Sequence, residues 1–542
     1  MTNSNQQITL SQSHSPISCS WVGPESSIAF DETGIAEQLK NESSPCYVVK
    51  QGGSIGITSD GSLAKSGEGL EVCAIIPGFS SAELGDLNFC EFHGTKYPYF
   101  GGSMANGISS EEMVIALGKV GIMASFGAGG LVPARIEAAI HKIQSELPKG
   151  PYCFNLIHSP SEPALERNAV DLFLKNGVNT IEASAFLDLT INVVYYRVAG
   201  LSKNSDGSIE IKNRIIAKIS RREVATKFME PAPEKFLTTL LENGLITDEQ
   251  AELARQIPMA DDVTVEADSG GHTDNRPLVN LLPSILALRD EIQKSRNYDI
   301  KIRVGAGGGI GTPESALAAF IMGAAYIVTG SINQACIEAG TSDHVKKILA
   351  QVGMADVMMA PASDMFEMGV KLQGLKRGTL FPMRAQKLYD IYLAHNSIDE
   401  IPVTEREKLE KQVFKKPLME IWKETVAFFQ ERDPDQIQKA EENPKKMMAL
   451  IFRWYLGLSS HWANSGEKGR EMDYQIWCGP AMGAFNDWVR NSRYEKAENR
   501  KVVEVANHLM TGAAYLYRVQ GLRLQGIQLP DSCSNYILPA GD

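Results

Sequence analysis

Short apolar runs alternate with amphipathic stretches from residue 97 onward. The runs are YPYFGG (97–102), IMASFG (122–127), YCFNLI (152–157), TIEAS (180–184), RIIAKIS (214–220), VTVEAD (263–268), IRVGAG (302–307) and YIVTGS (326–331). Each precedes a segment of helical periodicity, beginning with SSEEMVIALGKVG, which opens on a Ser109 to Glu112 capping box. Strand and helix alternating at this spacing predict a parallel sheet. Eight such units in roughly the usual ~250 residues are what a closed (β/α)8 TIM barrel needs, here over 94–345. A doubly wound open sheet is the structural competitor, but eight repeats with no strand left over favour closure. Helical patterns near 230–258 read as an insertion between the fifth and sixth strands.

The flanks follow different patterns, and the whole is α/β in class. Residues 1–40 open on a polar stretch without periodicity and are expected to be disordered or extended. From 41 to 93, the runs CYVVK, SIGIT and LEVCAIIPG are punctuated by Gly-Gly, Asp-Gly and Pro-Gly, which predicts a small β-rich module. Residues 346–384 are Met-rich and are expected to form an irregular segment near the barrel mouth. Residues 385–530 are predicted to be a helical domain. Five of the six tryptophans lie after residue 420, a clustering that points to packing between helices.

Composition narrows the functional classes. A hydrophobic fraction of 43% over 542 residues is that of a globular chain of several domains. A net charge of −12 argues against wholesale binding to nucleic acid or anionic membrane. No apolar run is long enough to span a bilayer, and the polar N-terminus lacks a signal-peptide pattern. The eight cysteines show no Cys-x-x-Cys and no regular framework, so reduced thiols in a cytoplasm fit best and no metal site is expected.

In such a barrel the chemistry sits on the loops after the strands. Glycine-rich loops follow strand seven (307–311) and strand eight (Gly330 and Ser331). Loops there, opening onto a helix N-terminus, hold phosphate through backbone N–H groups and the helix dipole. A phosphate so placed, with glycines around the rim, suits a flavin mononucleotide across the mouth. Asn155 on strand three and Lys218 on strand five are candidates for its pyrimidine edge. Each also has a structural alternative: a backbone hydrogen bond for Asn155, and an ion pair with Glu182 for Lys218. After strand six, the turn in VEADSGGHTDNRPL (265–278) brings Glu266 and Asp268 close to His272. That histidine is the first candidate for a proton donor or for orienting substrate. Glu266 reads as a structural acid.

Together, FGGSMANGISSEE, SFGAGGL, FNLI, EADSGGH, VGAGGGIGTPESALAAFIMGAAYIVTGS and APASDMFEMGVKLQGLKRGTLFPMRA resemble the nitronate monooxygenase-like flavin barrels. More closely they resemble the PfaD-type enoyl reductases of polyunsaturated fatty acid and trans-acyltransferase polyketide synthases. The APASD stretch and YQIWCGPAMGAFNDWV (474–489) are the motifs more specific to that branch. The resemblance spans about 45–530. It implies FMN as cofactor, NADPH as hydride donor, and a 2-enoyl thioester on an acyl carrier protein as substrate. It further implies FMN contacts from Gly102, Ser103, Met104, Ala105, Asn155, Lys218, Gly308, Gly309, Gly330 and Ser331. Gly270, Gly271 and His272 would face flavin and substrate, with the α-proton coming from His272 or from water. A homodimer is compatible with it. A carrier protein is acidic, so Lys371, Lys376 and Arg377 are the expected docking residues; Lys415, Lys416, Lys445 and Lys446 read as a solvated face. Two other readings stand beside this one: a nitronate monooxygenase-like oxidase or oxygenase, and a non-catalytic flavin-bound member of a synthase complex.

Overall fold

The computed structural model describes residues 7–540, apart from 12, 13, 15, 16, 161 and 162. Eight parallel strands close a barrel in chain order: β1 (Tyr99–Gly101), β2 (Met123–Phe126), β3 (Cys153–Ile157), β4 (Thr180–Ser184), β5 (Arg214–Ile219), β6 (Asp262–Glu266), β7 (Arg303–Gly307) and β8 (Ile327–Thr329). Ile327 to Thr329 of β8 pair with Tyr99 to Gly101 of β1 and shut the ring. Strands covered on both faces are mainly apolar, which is why they read as hydrophobic runs; their charged residues are paired at the floor (Asp262, Arg303) or gathered at the mouth (Glu182, Lys218, Glu266). The helices Glu234–Glu242 and Asp248–Ala254 fill the connection from β5 to β6.

Opposite the strand C-termini, two adjacent aspartates anchor the barrel floor. Asp262 accepts from Arg303 Nε at 2.6 Å and lies 2.8 Å from His93 Nε2. Asp261 takes a two-pronged guanidinium from the buried Arg197 at 2.7 and 2.9 Å. Burial alone would raise the Asp262 carboxyl, but Arg303 and His93 outweigh it and hold the group down at about 2.

The first helix after β1 shows a local difference from the sequence reading. Ser110, not Ser109, caps it, accepting from the Met113 N–H. Ser109 instead accepts from the Met104 N–H at 2.9 Å and donates to the Gly102 carbonyl at 3.1 Å, which folds the loop after β1 onto itself. The N-terminal stretch is also more ordered than its polarity implies. Ser20–Val22 joins a five-stranded antiparallel sheet with Cys46–Gln51, Ser54–Thr58, Ser62–Ala64 and Leu70–Ile76, and Glu32–Lys40 is a helix capped by Asp31. The reason is Trp21, which packs on Ile28, Val49 and Val72 and donates its indole N–H to the Asp60 carbonyl.

The expected irregular segment is a hairpin. Val357–Pro361 pairs with Lys371–Leu375, and the latter pairs in turn with Gly271 and His272. Met and Gly positions hide the strand alternation, and the third strand is only two residues long. The expected single helical domain divides into two parts. Helices from Phe381–Ala394 to Pro444–Ser465 share their own core around Phe366, Phe414 and Phe452. The helix Val502–Leu524 instead packs into the barrel core. Its buried Arg518 donates to the carbonyls of Gln38, Glu42 and Ser44 and ties that helix to the N-terminal module.

Replacing Asp262 by Asn would leave Arg303 as a buried charge without its counterion, so denaturant titration should show a loss of roughly 3–5 kcal/mol. The depressed folded-state carboxyl contributes stability above its unfolded value. That difference, on the order of 2 kcal/mol for the wild type, should fade as pH falls from about 4 to about 2 and be absent from the variant. An Asn variant with unchanged stability would mean that the floor pair is dispensable.

Candidate active site

The C-terminal ends of the strands open into a cavity of about 630 Å³. All the sequence-predicted residues line it: Gly102 to Ala105, Asn155, Lys218, Gly270 to His272, Gly308, Gly309, Gly330 and Ser331. They do not stand there in equivalent ways. A Cβ on Gly102 would strike Val328, one on Gly270 would strike the Cys478 backbone, and one on Gly308 would strike Ala267. Gly271, Gly309 and Gly330 have no protein atom within 4 Å of a Cβ position and border open space. The helix Pro313–Ile321 after β7 is closed by its own Thr312 and Ser315 side chains. The short turn of helix Ser331–Gln334 after β8, by contrast, starts at Gly330 with no side-chain cap. An uncapped N-terminal turn beside open glycine backbone is what a phosphate requires.

The cavity floor carries charge. Lys218 Nζ lies 3.2 Å from Glu266 and 3.9 Å from Glu182, with 19% of its side chain exposed. Burial disfavours the ammonium, but the two carboxylates more than offset this and raise Lys218 above the ordinary lysine value. It is therefore a permanent cation. Glu182 accepts from the Ser103 N–H at 2.8 Å, while its other oxygen, buried, has no hydrogen-bond partner. Asn155 donates to the Glu182 carbonyl at 3.1 Å and to Ser184 Oγ at 2.7 Å, so its amide N–H groups are spent inside the protein. Both structural alternatives for Asn155 and Lys218 are present, and both side chains still face the cavity. Glu266 also accepts from Ser269 at 3.3 Å.

His272 is fixed from the hairpin. Its Nε2 lies 3.2 Å from Asp364 Oδ1, and its backbone is the edge strand opposite Leu372. Burial lowers the imidazole value, but Asp364 and then Glu266 outweigh this and the net shift is upward; the Asp364 carboxyl is correspondingly lowered. Asp268 is a brace. It accepts from Asn275 at 2.9 Å and from Gln373 at 2.7 Å, and Gln373 also donates to the Ser269 carbonyl at 2.8 Å. The tight turn 269–271 is thus held from one side by the hairpin.

From the other side it is held by backbone. Gly479 lies directly against Ser269 and Gly270, and its N–H donates to Ser331 Oγ at 3.0 Å. Ser331 therefore spends hydroxyl acceptor capacity on this seam. Sequence reasoning missed Asp364, Arg453, Trp454 and Trp477, all of which line the cavity. The last two depart from the expectation that the late tryptophans serve helix packing alone. The branch-specific stretches APASD and YQIWCGPAMG were the available signal. Lys371, Lys376 and Arg377 are absent from the lining, and Arg377 is paired with Asp356 at 3.3 Å.

The residues present fit a flavin. Open glycine backbone stands where a phosphate would rest, and an orphaned Glu182 oxygen and a cation lie on the floor. Comparisons with known proteins agree. Residues 88–369, more than half of the chain, match the family model for nitronate monooxygenase. Residues 21–78 match the N-terminal domain of the fatty acid synthase component PfaD, and 395–474 match the inserted helical domain of [acyl-carrier-protein] S-malonyltransferase. A polyunsaturated fatty acid synthase component of Thraustochytrium is 52% identical over 448 residues, covering 81% of this chain and 30% of that protein. Polyketide biosynthesis protein PksE of Bacillus subtilis is 47% identical, covering 89% of this chain and 62% of that protein. The crystal structure of the enoyl reductase domain of MlnA from Bacillus amyloliquefaciens superposes with a TM-score of 0.77 at 41% identity, covering 81% of this chain and 99% of that one. The chain spans about a third of the length of the first of these relatives. It belongs to the nitronate monooxygenase family of flavin-dependent barrels, in the branch that carries the PfaD N-terminal domain.

Proposed function

We propose that the chain is an FMN-dependent enoyl reductase that saturates the 2,3 double bond of an enoyl thioester borne by an acyl carrier protein, with NADPH as hydride source. The observation that carries this reading is the His272–Asp364 pair, set on the cavity together with the open glycine backbone of Gly309 and Gly330. The named relatives support it, being a synthase component, a polyketide biosynthesis protein and an enoyl reductase domain.

The chemistry a bound flavin supplies is hydride transfer, from the reduced nicotinamide to the β-carbon of the thioester. Gly309, Gly330 and Ser331 would hold its phosphate, and Lys218 and Glu182 would border its ring. Reduction leaves negative charge on the thioester oxygen and the α-carbon. Backbone N–H groups of 269–271, in the turn held by Gln373 and Gly479, would stabilise that oxygen. The His272 imidazolium delivers the proton to the α-carbon. The Asp364 carboxylate shifts it toward the charged form, which is the form an acid requires. A nitronate monooxygenase would use the same histidine as a base.

Gly309→Asp puts a carboxylate where phosphate is expected and should abolish flavin retention in a folded protein whose thermal midpoint is lowered, because position 309 holds a positive φ and the cofactor is lost. A fully yellow, folded variant would remove the cofactor from this loop.

His272→Ala should keep its flavin and still oxidise NADPH, yet reduce enoyl thioester roughly 10²–10⁴-fold more slowly. Undiminished turnover would assign the proton to water.

His272 is faced by Asp364, Glu266 and Lys218, and the first of these sets the direction of its shift. An acid with a raised value is active at low pH and loses activity as pH rises through that value. Asp364→Asn should therefore move the alkaline limb of the kcat profile to lower pH. A limb that stays in place would mean that Asp364 serves only the fold.

A further inference from the structure

The cavity has two chemically distinct halves. One is the glycine-lined barrel mouth. The other is lined from the helices Leu418–Arg432 and Pro444–Ser465, whose contribution includes Phe428, Phe429, Leu450 and Trp454. Polar groups on this second wall are already occupied. The Trp454 indole N–H donates to Glu424 Oε2 at 3.1 Å, Glu424 also pairs with Lys416, and Thr425 Oγ1 donates to the Ile421 carbonyl at 2.8 Å. Arg453, Ser460 and His461 of the second helix line the cavity too; Arg453 lies 3.7 Å from Glu367, and Ser460 Oγ accepts from Asn106 and donates to the Gly457 carbonyl. The rest of this wall is hydrocarbon and aromatic surface. Behind it, Phe429 (7% exposed) and Leu450 pack with Ala440 in a separate small core. At the outer end Phe428 is 53% exposed and forms an edge-to-face pair with Phe429.

One glycine shows that this half is kept open. Gly457, in the middle of the helix Pro444–Ser465, lines the cavity, and a Cβ there would meet only Ser363 Oγ, at 3.4 Å. Packing does not demand a glycine at this position, and a helix interior disfavours one. A side chain at 457 would project into the chamber.

We infer that this chamber is a binding site for the hydrocarbon tail of the acyl thioester, seated on the helical part of the chain rather than on the barrel, with Gly457 setting how long a tail it admits. The inference rests on the enoyl reductase reading for its ligand. An apolar wall without free donors or acceptors binds by area, so affinity should rise with each methylene until the chamber is full. It should also discriminate against polar groups along the tail, whose hydrogen bonds to water would go unreplaced.

The test compares Gly457→Leu with the wild type, using crotonyl and trans-2-dodecenoyl thioesters of N-acetylcysteamine. Binding of the corresponding saturated butyryl and dodecanoyl thioesters is followed by tryptophan fluorescence. The variant should fold at least as stably and keep its flavin. It should lose roughly tenfold or more in kcat/KM and in affinity for the long chain, while the short chain stays within about twofold. Phe428→Ala, on an exposed position, should raise the long-chain KM alone. Equal losses on both chain lengths would place Gly457 beside the reacting carbon, and undiminished long-chain binding in both variants would send the tail elsewhere; either overturns the inference. If the wild type reduces neither thioester, the reductase reading fails, while the fluorescence comparison still decides the chamber.

Discussion

Backbone lying on backbone, where residues 478–483 cross the barrel mouth, is the constraint on which the site depends. Gly479 lies against the Ser269–Gly270 peptide, and a Cβ on Gly311 or Gly483 would strike the Ala481 carbonyl or the Met354 amide. Such contacts leave no room for a methyl group, so the barrel loops and the later chain lock at one separation. That separation fixes the turn carrying His272, the loop carrying Gly309, and the hydroxyl of Ser331 with respect to one another. A catalytic histidine misplaced by an ångström loses most of its effect, and close packing of this kind is how a large loop-built site is kept within such a tolerance.

The second organising feature is the division of labour between carboxylates. Asp261 and Asp262 neutralise buried arginines at the barrel floor and serve the fold. Glu182 and Glu266 surround Lys218 at the mouth and keep it charged. Asp364 arrives from the hairpin and biases His272 toward the imidazolium. Asp268 carries none of these charges and braces the turn through Asn275 and Gln373. The acidic turn in VEADSGGH thus supplies a counterion in Glu266, a brace in Asp268 and, in His272, an imidazole paired with Asp364.

Most of the barrel was legible from the sequence, because buried parallel strands are mainly apolar and end at glycines. The predicted cofactor and histidine positions converge on one cavity because nearly all sit at or just after strand ends, with Asn155 reaching it from within β3. What the sequence hid is long-range. Asp364 lies 92 residues from His272, and its stretch APASD marks the branch without showing which side chain it would meet. The hairpin 357–375 gains its third strand only from the turn after β6. Trp454 belongs to a helix whose periodicity reads as packing, and only the opposing barrel wall turns one of its faces into lining. Trp21 ordered an N-terminal stretch whose polar residues outnumbered the one side chain that decided its structure.

The proposal that hydride reaches an enoyl carbon in this cavity is tested most directly by an anaerobic single turnover. Protein bleached with one equivalent of NADPH is mixed, without oxygen, with a crotonyl thioester. Return of the flavin colour matched by an equal quantity of butyryl thioester is the predicted result. Colour that returns only when oxygen is admitted, with the thioester recovered intact, would contradict it.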